Sequence, residues 1–95
     1  MSDFEEALER AQAGDARGMA DLYRSYAAPL LAYLMTQVRR REDAEDLLGE
    51  VFLQAMRDVA RFEGNLSGFR AWLYRIAINH AVDLARRNQR RPEEP

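Results

Sequence analysis

Carboxylates and apolar residues follow a helical pattern between residues 43 and 59. Asp43, Asp46 and Glu50 recur at intervals of three and four, which places them on one face of a helix. The opposite face is apolar and comprises Ala44, Leu47, Leu48, Val51, Phe52, Ala55, Met56 and Val59. A helix dipole stabilises carboxylates in the first turn, but Glu50 lies beyond that turn. The acidic face therefore indicates a docking surface for a basic partner.

Basic residues follow an aromatic segment near the end of the chain. Phe69, Trp72 and Tyr74 precede four arginines, and this combination of stacking surfaces and phosphate partners is typical of single-stranded nucleic acid binding. The arginines are Arg86, Arg87, Arg90 and Arg91. The alternative is a core of aromatic residues with a solvated helix end, where the dipole favours cations. The amide of Asn79, in the same segment, is either satisfied internally or reads a base edge.

The segment from Arg61 to Ser67 interrupts the helical pattern. It contains a cation, an aromatic ring, a hydroxyl and a Gly64-Asn65 pair that tolerates turn geometry. Such a loop can line a small pocket that accepts a base turned out of the stack. The alternative is an ordinary connector between two helices.

Few residues could support catalysis or metal binding. His80 is the one histidine, with Asp83 three residues later, and a lone histidine on a helix is usually a packing or surface residue. The acids of residues 43–50 have neither an accompanying histidine nor the spacing of a calcium loop. The absence of cysteine excludes disulfides and cysteine-based zinc sites. The sequence therefore predicts a protein that is not an enzyme and needs no metal or other cofactor.

Length and composition predict one modest domain. The chain has 95 residues, of which 47% are hydrophobic, enough for a single core. The acidic N-terminus lacks the apolar core of a signal peptide, and the longest apolar run, Ala27 to Met35, is too short to cross a bilayer. We therefore predict a cytoplasmic protein that does not bind membrane. Residues 1–60 hold twelve acids and seven arginines, whereas residues 68–91 hold six arginines and one acid, which indicates two different partner surfaces.

The lack of period-two alternation predicts an all-α fold, a compact bundle of three to four helices. The fourth helix has a broad apolar face flanked by Ile78 and Val82, which predicts deep burial. The predicted helices cover about residues 3–13, 16–39, 43–60 and 68–88. Residues 1–91 form the predicted domain, and residues 92–95 begin a linker.

Several residues predict where these helices start or bend. Asp15 and Ser67 are the expected N-caps of the second and fourth helices, and Asp43 is expected as a cap or first-turn acid of the third. Pro29 is expected to kink or break the second helix near residues 25–28. Gly49 lies inside the third helix, at a cost of roughly 1 kcal/mol relative to alanine.

Taken together, these segments resemble region 2 of bacterial extracytoplasmic-function (ECF) sigma factors, over about residues 10–91. The matching segments are Gly14-Asp15 with Leu22-Tyr23-Arg24-Ser25-Tyr26, then Asp43-Ala44-Glu45-Asp46-Leu47 with Glu50-Val51-Phe52, and then Phe62, Phe69-Arg70-Ala71-Trp72-Leu73-Tyr74-Arg75-Ile76-Ala77, Asn79, Asp83 and Arg86. The resemblance implies a promoter-recognition domain that supports transcription initiation.

The resemblance implies a role for each segment. Polymerase binding, to the coiled coil of the largest subunit of core RNA polymerase, would involve Asp43, Glu45, Asp46, Leu47 and Glu50. Capture of a base flipped from the non-template strand of the minus-ten element would involve Arg61, Phe62, Glu63, Gly64, Asn65, Leu66 and Ser67. The floor and wall of that pocket would be Tyr74, Arg75 and Asn79. Phosphate contacts would come from Arg70, Arg86, Arg87 and Arg90.

This chain departs from the family pattern in two respects. Gly49 stands where the family usually has glutamine, which removes one polymerase contact. The family's second DNA-binding domain, which reads the minus-thirty-five element, is not in this sequence. A helical module that binds a protein partner, such as polymerase or an anti-sigma factor, without reading DNA is the alternative function.

Overall fold

The computed structural model describes residues 3–89, and every regular element in that range is helical, which confirms the all-α prediction. The elements are α1 Asp3–Gln12, α2 Ala16–Met35, α3 Arg41–Asp58, a short 3₁₀ turn Val59–Arg61, and α4 Leu66–Gln89. α1 packs mainly on α2, α2 on α3, and α3 on α4, so neighbours in sequence are neighbours in space.

The predicted N-cap of α2 is confirmed. The Asp15 carboxylate accepts a hydrogen bond from the backbone N–H of Arg17 at 3.0 Å, which satisfies a free donor of the first turn. The guanidinium of Arg17 also donates to this carboxylate, and these bonds hold the pKa of Asp15 below its usual range. Gly14 precedes the cap with a φ of +90°, a conformation that glycine adopts without a steric penalty.

Helix α2 differs from its predicted form in two ways. It ends at Met35 rather than near Arg39, and it continues through Pro29, so of the kink or break predicted near residues 25–28 the break is wrong. Pro29 is exposed, so its ring faces solvent rather than a neighbouring helix. The tolerated proline costs one helical hydrogen bond, and burial of Leu22, Leu30 and Leu34 holds the helix together on either side.

Helix α3 begins at Arg41, after an N-cap residue, Arg40, that makes no side-chain capping bond. Asp43 lies in the first turn, as one of the two predicted alternatives, and not at the cap. The apolar stripe is buried as predicted, with the exception of Met56, which is 52% exposed. The apolar face is wider than the surface that the neighbouring helices cover. A residue at its edge, such as Met56, therefore reaches solvent.

Helix α4 begins at Leu66, so the predicted cap at Ser67 is wrong. Asn65 takes that role, because its Oδ1 accepts the backbone N–H of Gly68 at 2.9 Å. The predicted deep burial of the helix is also wrong at Ile78 and Val82, which are 44% and 43% exposed. Among the elements described, α1, α2 and α3 cover one side of α4, and Ile78 and Val82 lie on the other.

The core lies between the four helices and is wholly apolar over the described residues. Its largest fully buried side chains are Phe69, Leu22, Leu30, Leu34, Leu47, Leu73 and Val51. Phe69 and Leu73 bring α4 into contact with this core, and that packing fixes which face of α4 points outward.

Candidate functional site

The acidic face of α3 presents two available carboxylates. Asp46 and Glu50 are exposed one turn apart, whereas Glu45 is engaged by Arg41 in an ion pair of 2.9 Å and Asp43 is half-buried. An exposed pair of this kind contributes little to stability but neutralises part of the charge of Glu45. Asp46 and Glu50 are therefore the strongest candidates for binding a basic partner.

The structure corrects one predicted polymerase contact. Leu47 is only 2% exposed and belongs to the core, so it cannot contact a partner without unfolding. Leu53, 56% exposed, lies one helical turn beyond Glu50 on the acidic side, and sequence reasoning missed it. It gives the acidic face an apolar component that a protein partner could cover.

Three aromatic rings anchor the predicted base-binding loop, residues 61–67. The Phe62 ring lies 5.9 Å from that of Phe69 and 5.2 Å from that of Trp72, and the latter two are 5.6 Å apart. Such ring pairs stabilise beyond their buried area. Phe62 is half-buried and connects the loop to the first turns of α4. Its ring is therefore a fixed support for the loop backbone.

Hydrogen bonds hold both ends of the loop. The amide of Gln12 on α1 donates to the carbonyl of Phe62 at 2.9 Å, and Asn65 caps α4. Gly64, with a φ of +145°, turns the chain above the Phe62 ring. The role of Gln12 was not predicted, because a contact across 50 residues leaves no local signal. The loop is consequently preorganised, which lowers the entropy cost of binding.

The remaining loop residues offer mixed chemistry. Glu63, Asn65 and Ser67 are exposed, Leu66 is half-buried, and Arg61 is paired with Asp58 at 2.6 Å. A cavity beside residues 64–66 is lined on its far side by Glu5, Glu6, Glu9, Leu8 and Gln12 of α1. Those carboxylates repel phosphate, so a nucleic acid backbone is favoured on the α4 side of the loop.

Cations and an aromatic platform occupy the start of the exposed side of α4. The guanidinium of Arg70 lies 4.9 Å from the centre of the Tyr74 ring, and Tyr74 contacts Tyr33 of α2 at 5.6 Å. Arg75, Asn79, Arg86 and Arg87 are exposed further along the helix. Arg90 lies outside the described residues. Burial raises the pKa of Tyr26, which lies next to Arg70, so its hydroxyl is neutral at physiological pH.

The structure separates two groups that were predicted to form one pocket. Asn65 caps the start of α4 and Asn79 lies fourteen residues further along, so a rise of 1.5 Å per residue places them roughly 20 Å apart along the helix axis. One base cannot span that distance. If both bind DNA, the loop and Asn79 therefore contact different nucleotides, and the floor and wall of a loop pocket cannot include Asn79.

Catalytic and metal chemistry have little support in the described residues. His80 contacts Gln54 and Glu50 of α3. Within residues 3–89, no group of three or more histidine or carboxylate side chains converges on a point that could hold a metal ion. Of the helices described, none has the length and apolarity to cross a membrane.

The Asn65 cap gives a direct test of loop order. Replacing Asn65 with alanine should lower the free energy of unfolding by about 1 kcal/mol, because the N–H of Gly68 loses its partner. Urea denaturation followed by circular dichroism would measure this. Ser67→Ala is the matched control and should change stability by no more than a few tenths of a kcal/mol. Equal losses in the two variants would mean that Ser67 shares the cap.

Comparison with known proteins identifies the family. The profile described as Sigma-70 region 2 matches residues 22–91 of this chain. The chain belongs to the Sigma-70 region 2 family. Its resemblance to ECF sigma factors is confirmed by the RNA polymerase sigma-H factor of Pseudomonas aeruginosa, 37% identical over 94% of this chain. The ECF RNA polymerase sigma factor BldN of Streptomyces coelicolor is 40% identical over 82% of it.

A solved structure agrees with this assignment. It is the NMR structure of an engineered region 2 of sigmaE in complex with GTAAAA, which covers all of both chains with a TM-score of 0.80 and 29% identity. This sigma region 2 chain spans less than half the length of the curated relatives, covering 46% of the sigma-H factor and 30% of BldN.

Proposed function

We propose that residues 1–91 are the promoter-recognition domain of a bacterial ECF sigma factor. Asp46 and Glu50 on α3 would bind core RNA polymerase, while the loop and the exposed side of α4 would hold the melted non-template strand of the minus-ten element. Residues 92–95 would begin the linker to the remainder of the sigma factor. The similar structure with GTAAAA supports single-stranded DNA as the ligand.

The observation that carries this proposal is the arrangement of two surfaces on one packed helix pair. α3 and α4 pack against each other through apolar residues and turn an acidic face and a cationic face outward. Because both faces are exposed at once, polymerase and DNA need not compete for the same side chains. Opposite charge suits the two partners, a basic protein surface and a polyanion.

Differential binding explains how such a domain could favour an open promoter. Opening a base-pair step costs about 1.4 kcal/mol of stacking on average. A loop that binds a base only when it is turned out stabilises the melted state and not the duplex, so it shifts the equilibrium without ATP. The preorganised loop suits this function, since little ordering entropy opposes capture of the base.

DNA reading is tested by fluorescence anisotropy with short single-stranded oligonucleotides that vary in their minus-ten-like motif. We expect a preference for one motif that persists when salt is raised, because base contacts are less salt-dependent than phosphate contacts. Weak binding that is equal for all sequences and lost in salt would contradict DNA reading.

Polymerase docking is tested by the double variant Asp46→Ala/Glu50→Ala. Its affinity for purified bacterial core RNA polymerase should fall about tenfold, because each exposed charge pair contributes up to about 1 kcal/mol. The matched control, Glu5→Ala/Glu9→Ala, removes the same charge from α1 and should leave affinity within twofold. Equal losses of polymerase affinity in both double variants would mean that only net charge matters. The acidic face of α3 would then not be part of the interface.

A protein-binding module without DNA reading is the second candidate. An apolar groove between α2 and α3, lined by Ala16, Met19, Ala20, Tyr23, Phe52 and Met56, favours it, because exposed apolar surface is typical of protein interfaces. Such a groove would suit an anti-sigma factor. The oligonucleotide assay separates the two functions, since a module of this kind has no need for base preference.

A further inference from the structure

His80 joins α4 to the acidic face of α3. Its Nε2 lies 2.8 Å from Oε1 of Gln54, and its Nδ1 lies 3.4 Å from Oε1 of Glu50. The ring is half-buried, so both contacts are partly shielded from water. Glu50 is one of the two carboxylates available for polymerase binding. The ring, which lies on α4, therefore contacts a residue of the candidate docking surface on α3.

The two contacts determine how the ring responds to protonation. With the Gln54 amide oriented so that its oxygen faces the ring, Nε2 is assigned the hydrogen of the neutral ring and donates it. In the neutral ring, Nδ1 then presents a lone pair to the Glu50 carboxylate, which is unfavourable. A second proton, placed on Nδ1, turns this contact into an ion pair with Glu50.

Other charged groups surround the ring. Glu50 faces it from α3, and Asp83, Arg86 and Arg87 of α4 line the same cavity. The two arginines oppose a positive charge on the ring, and the two carboxylates favour it. Among these groups, Glu50 is the one in direct contact with a ring nitrogen, so a positive charge on the ring would act on Glu50 most strongly.

We propose that His80 is a pH-responsive regulator of polymerase docking through Glu50, an inference that rests on the function proposed above. When the ring is protonated, it pairs with Glu50 and adds a positive charge next to the docking surface. Both effects weaken attraction for a basic partner. Histidine suits this role, because its charge changes between about pH 5 and 8.

The sign of the pH dependence follows from linkage. A polymerase cation bound to Glu50 competes with the protonated ring for the same carboxylate, so docking and ring protonation oppose each other. Docking then releases protons, and affinity rises with pH. A partly exposed pair contributes up to about 1 kcal/mol, which corresponds to an affinity difference of roughly two- to fivefold.

The test compares polymerase affinity at about pH 6 and about pH 8 for the parent chain, His80→Gln and Glu50→Gln. The parent's polymerase affinity divided by that of His80→Gln should be roughly two- to fivefold lower at about pH 6 than at about pH 8. The reason is that only the parent gains the competing positive charge at the acidic pH. Circular dichroism at both pH values verifies that His80→Gln is folded. The same ratio at both pH values would overturn the inference.

Glu50→Gln separates this inference from the proposed function. We expect it to weaken docking at about pH 8 and to remove the His80-dependent part of the pH response. Suppose that Glu50→Gln weakens docking but His80→Gln shows the same pH profile of docking as the parent. The docking surface is then supported, and the role of His80 is refuted. If Glu50→Gln docks as the parent does at both pH values, the docking assignment fails, and the inference fails with it.

Discussion

Replacing Gly18 with alanine should unfold the domain at temperatures where the parent chain is stable. Gly18 is buried where α2 crosses α1, and a Cβ there would lie 2.4 Å from the carbonyl oxygen of Ala7 and from the backbone nitrogen of Ala11. Both are backbone atoms of a helix, so neither can move aside alone. The variant must separate α1 from α2, and we expect a loss of about 3 kcal/mol or more.

A loss of that size matters in a chain of this length. Domains below about 100 residues bury a smaller fraction of their surface than larger domains do, and their net stability is typically at the lower end of about 5–15 kcal/mol. Urea denaturation followed by circular dichroism would measure the difference. A change in the far-ultraviolet signal without denaturant would indicate that α1 has detached.

Gly49→Ala is the matched control, because it makes the same change inside a helix with open space around it. No atom lies within 4 Å of an added Cβ at Gly49, so alanine should raise the free energy of unfolding by roughly 0.5–1 kcal/mol. Opposite signs for the two glycines would establish that Gly18 maintains close helix packing. A stabilising or neutral Gly18→Ala would contradict the packing of α1 on α2.

Local patterns in the sequence predicted most of the fold. The four helices follow from apolar periodicity, and the Asp15 cap follows from side-chain chemistry that operates within two residues. The cap of α4 was misassigned because Asn65 and Ser67 are both good caps. Only the path of the preceding loop, supported by the Phe62 ring, decides between them.

The candidate site was predictable in part. Spacing placed Asp46 and Glu50 on an exposed face, but it could not separate them from Leu47, because a contact and a core residue can occupy adjacent positions. For the same reason, the exposure of Ile78 and Val82 was not predicted. The sequence does not show how much of a broad apolar face the other helices cover. Gln12 and Gly18 act through tertiary contacts, which no local pattern records.

The separation of the loop from Asn79 changes how DNA reading should be tested. A base held by the loop and a base read by Asn79 would belong to different nucleotides, so each group should affect discrimination at its own position. Asn79 is exposed, and within residues 3–89 its side-chain amide makes no hydrogen bond. An amide in that state keeps both a donor and an acceptor available for a base edge.

Asn79→Ala should therefore abolish discrimination at one nucleotide position while leaving the fold intact. A side-chain amide that pairs with a base edge contributes about 1–3 kcal/mol of discrimination, which corresponds to a loss of roughly five- to hundredfold between preferred and disfavoured bases. Overall affinity for disfavoured sequences should change little, because phosphate contacts supply it. Anisotropy with oligonucleotides varied one position at a time would measure both quantities.

Asn88→Ala is the matched control, since Asn88 is also exposed on α4. It lies nine residues further along and on the opposite side of the helix from Asn79. It should leave discrimination unchanged at every position. If Asn79→Ala behaves like Asn88→Ala, Asn79 does not read a base, and sequence preference must come from the loop alone. If Asn79→Ala and a loop variant abolish discrimination at the same nucleotide, the two groups share one base, and the roughly 20 Å separation along α4 would have to close on DNA binding. Because the helix is rigid, we expect Asn79→Ala and the loop variant to lose base discrimination at different nucleotide positions.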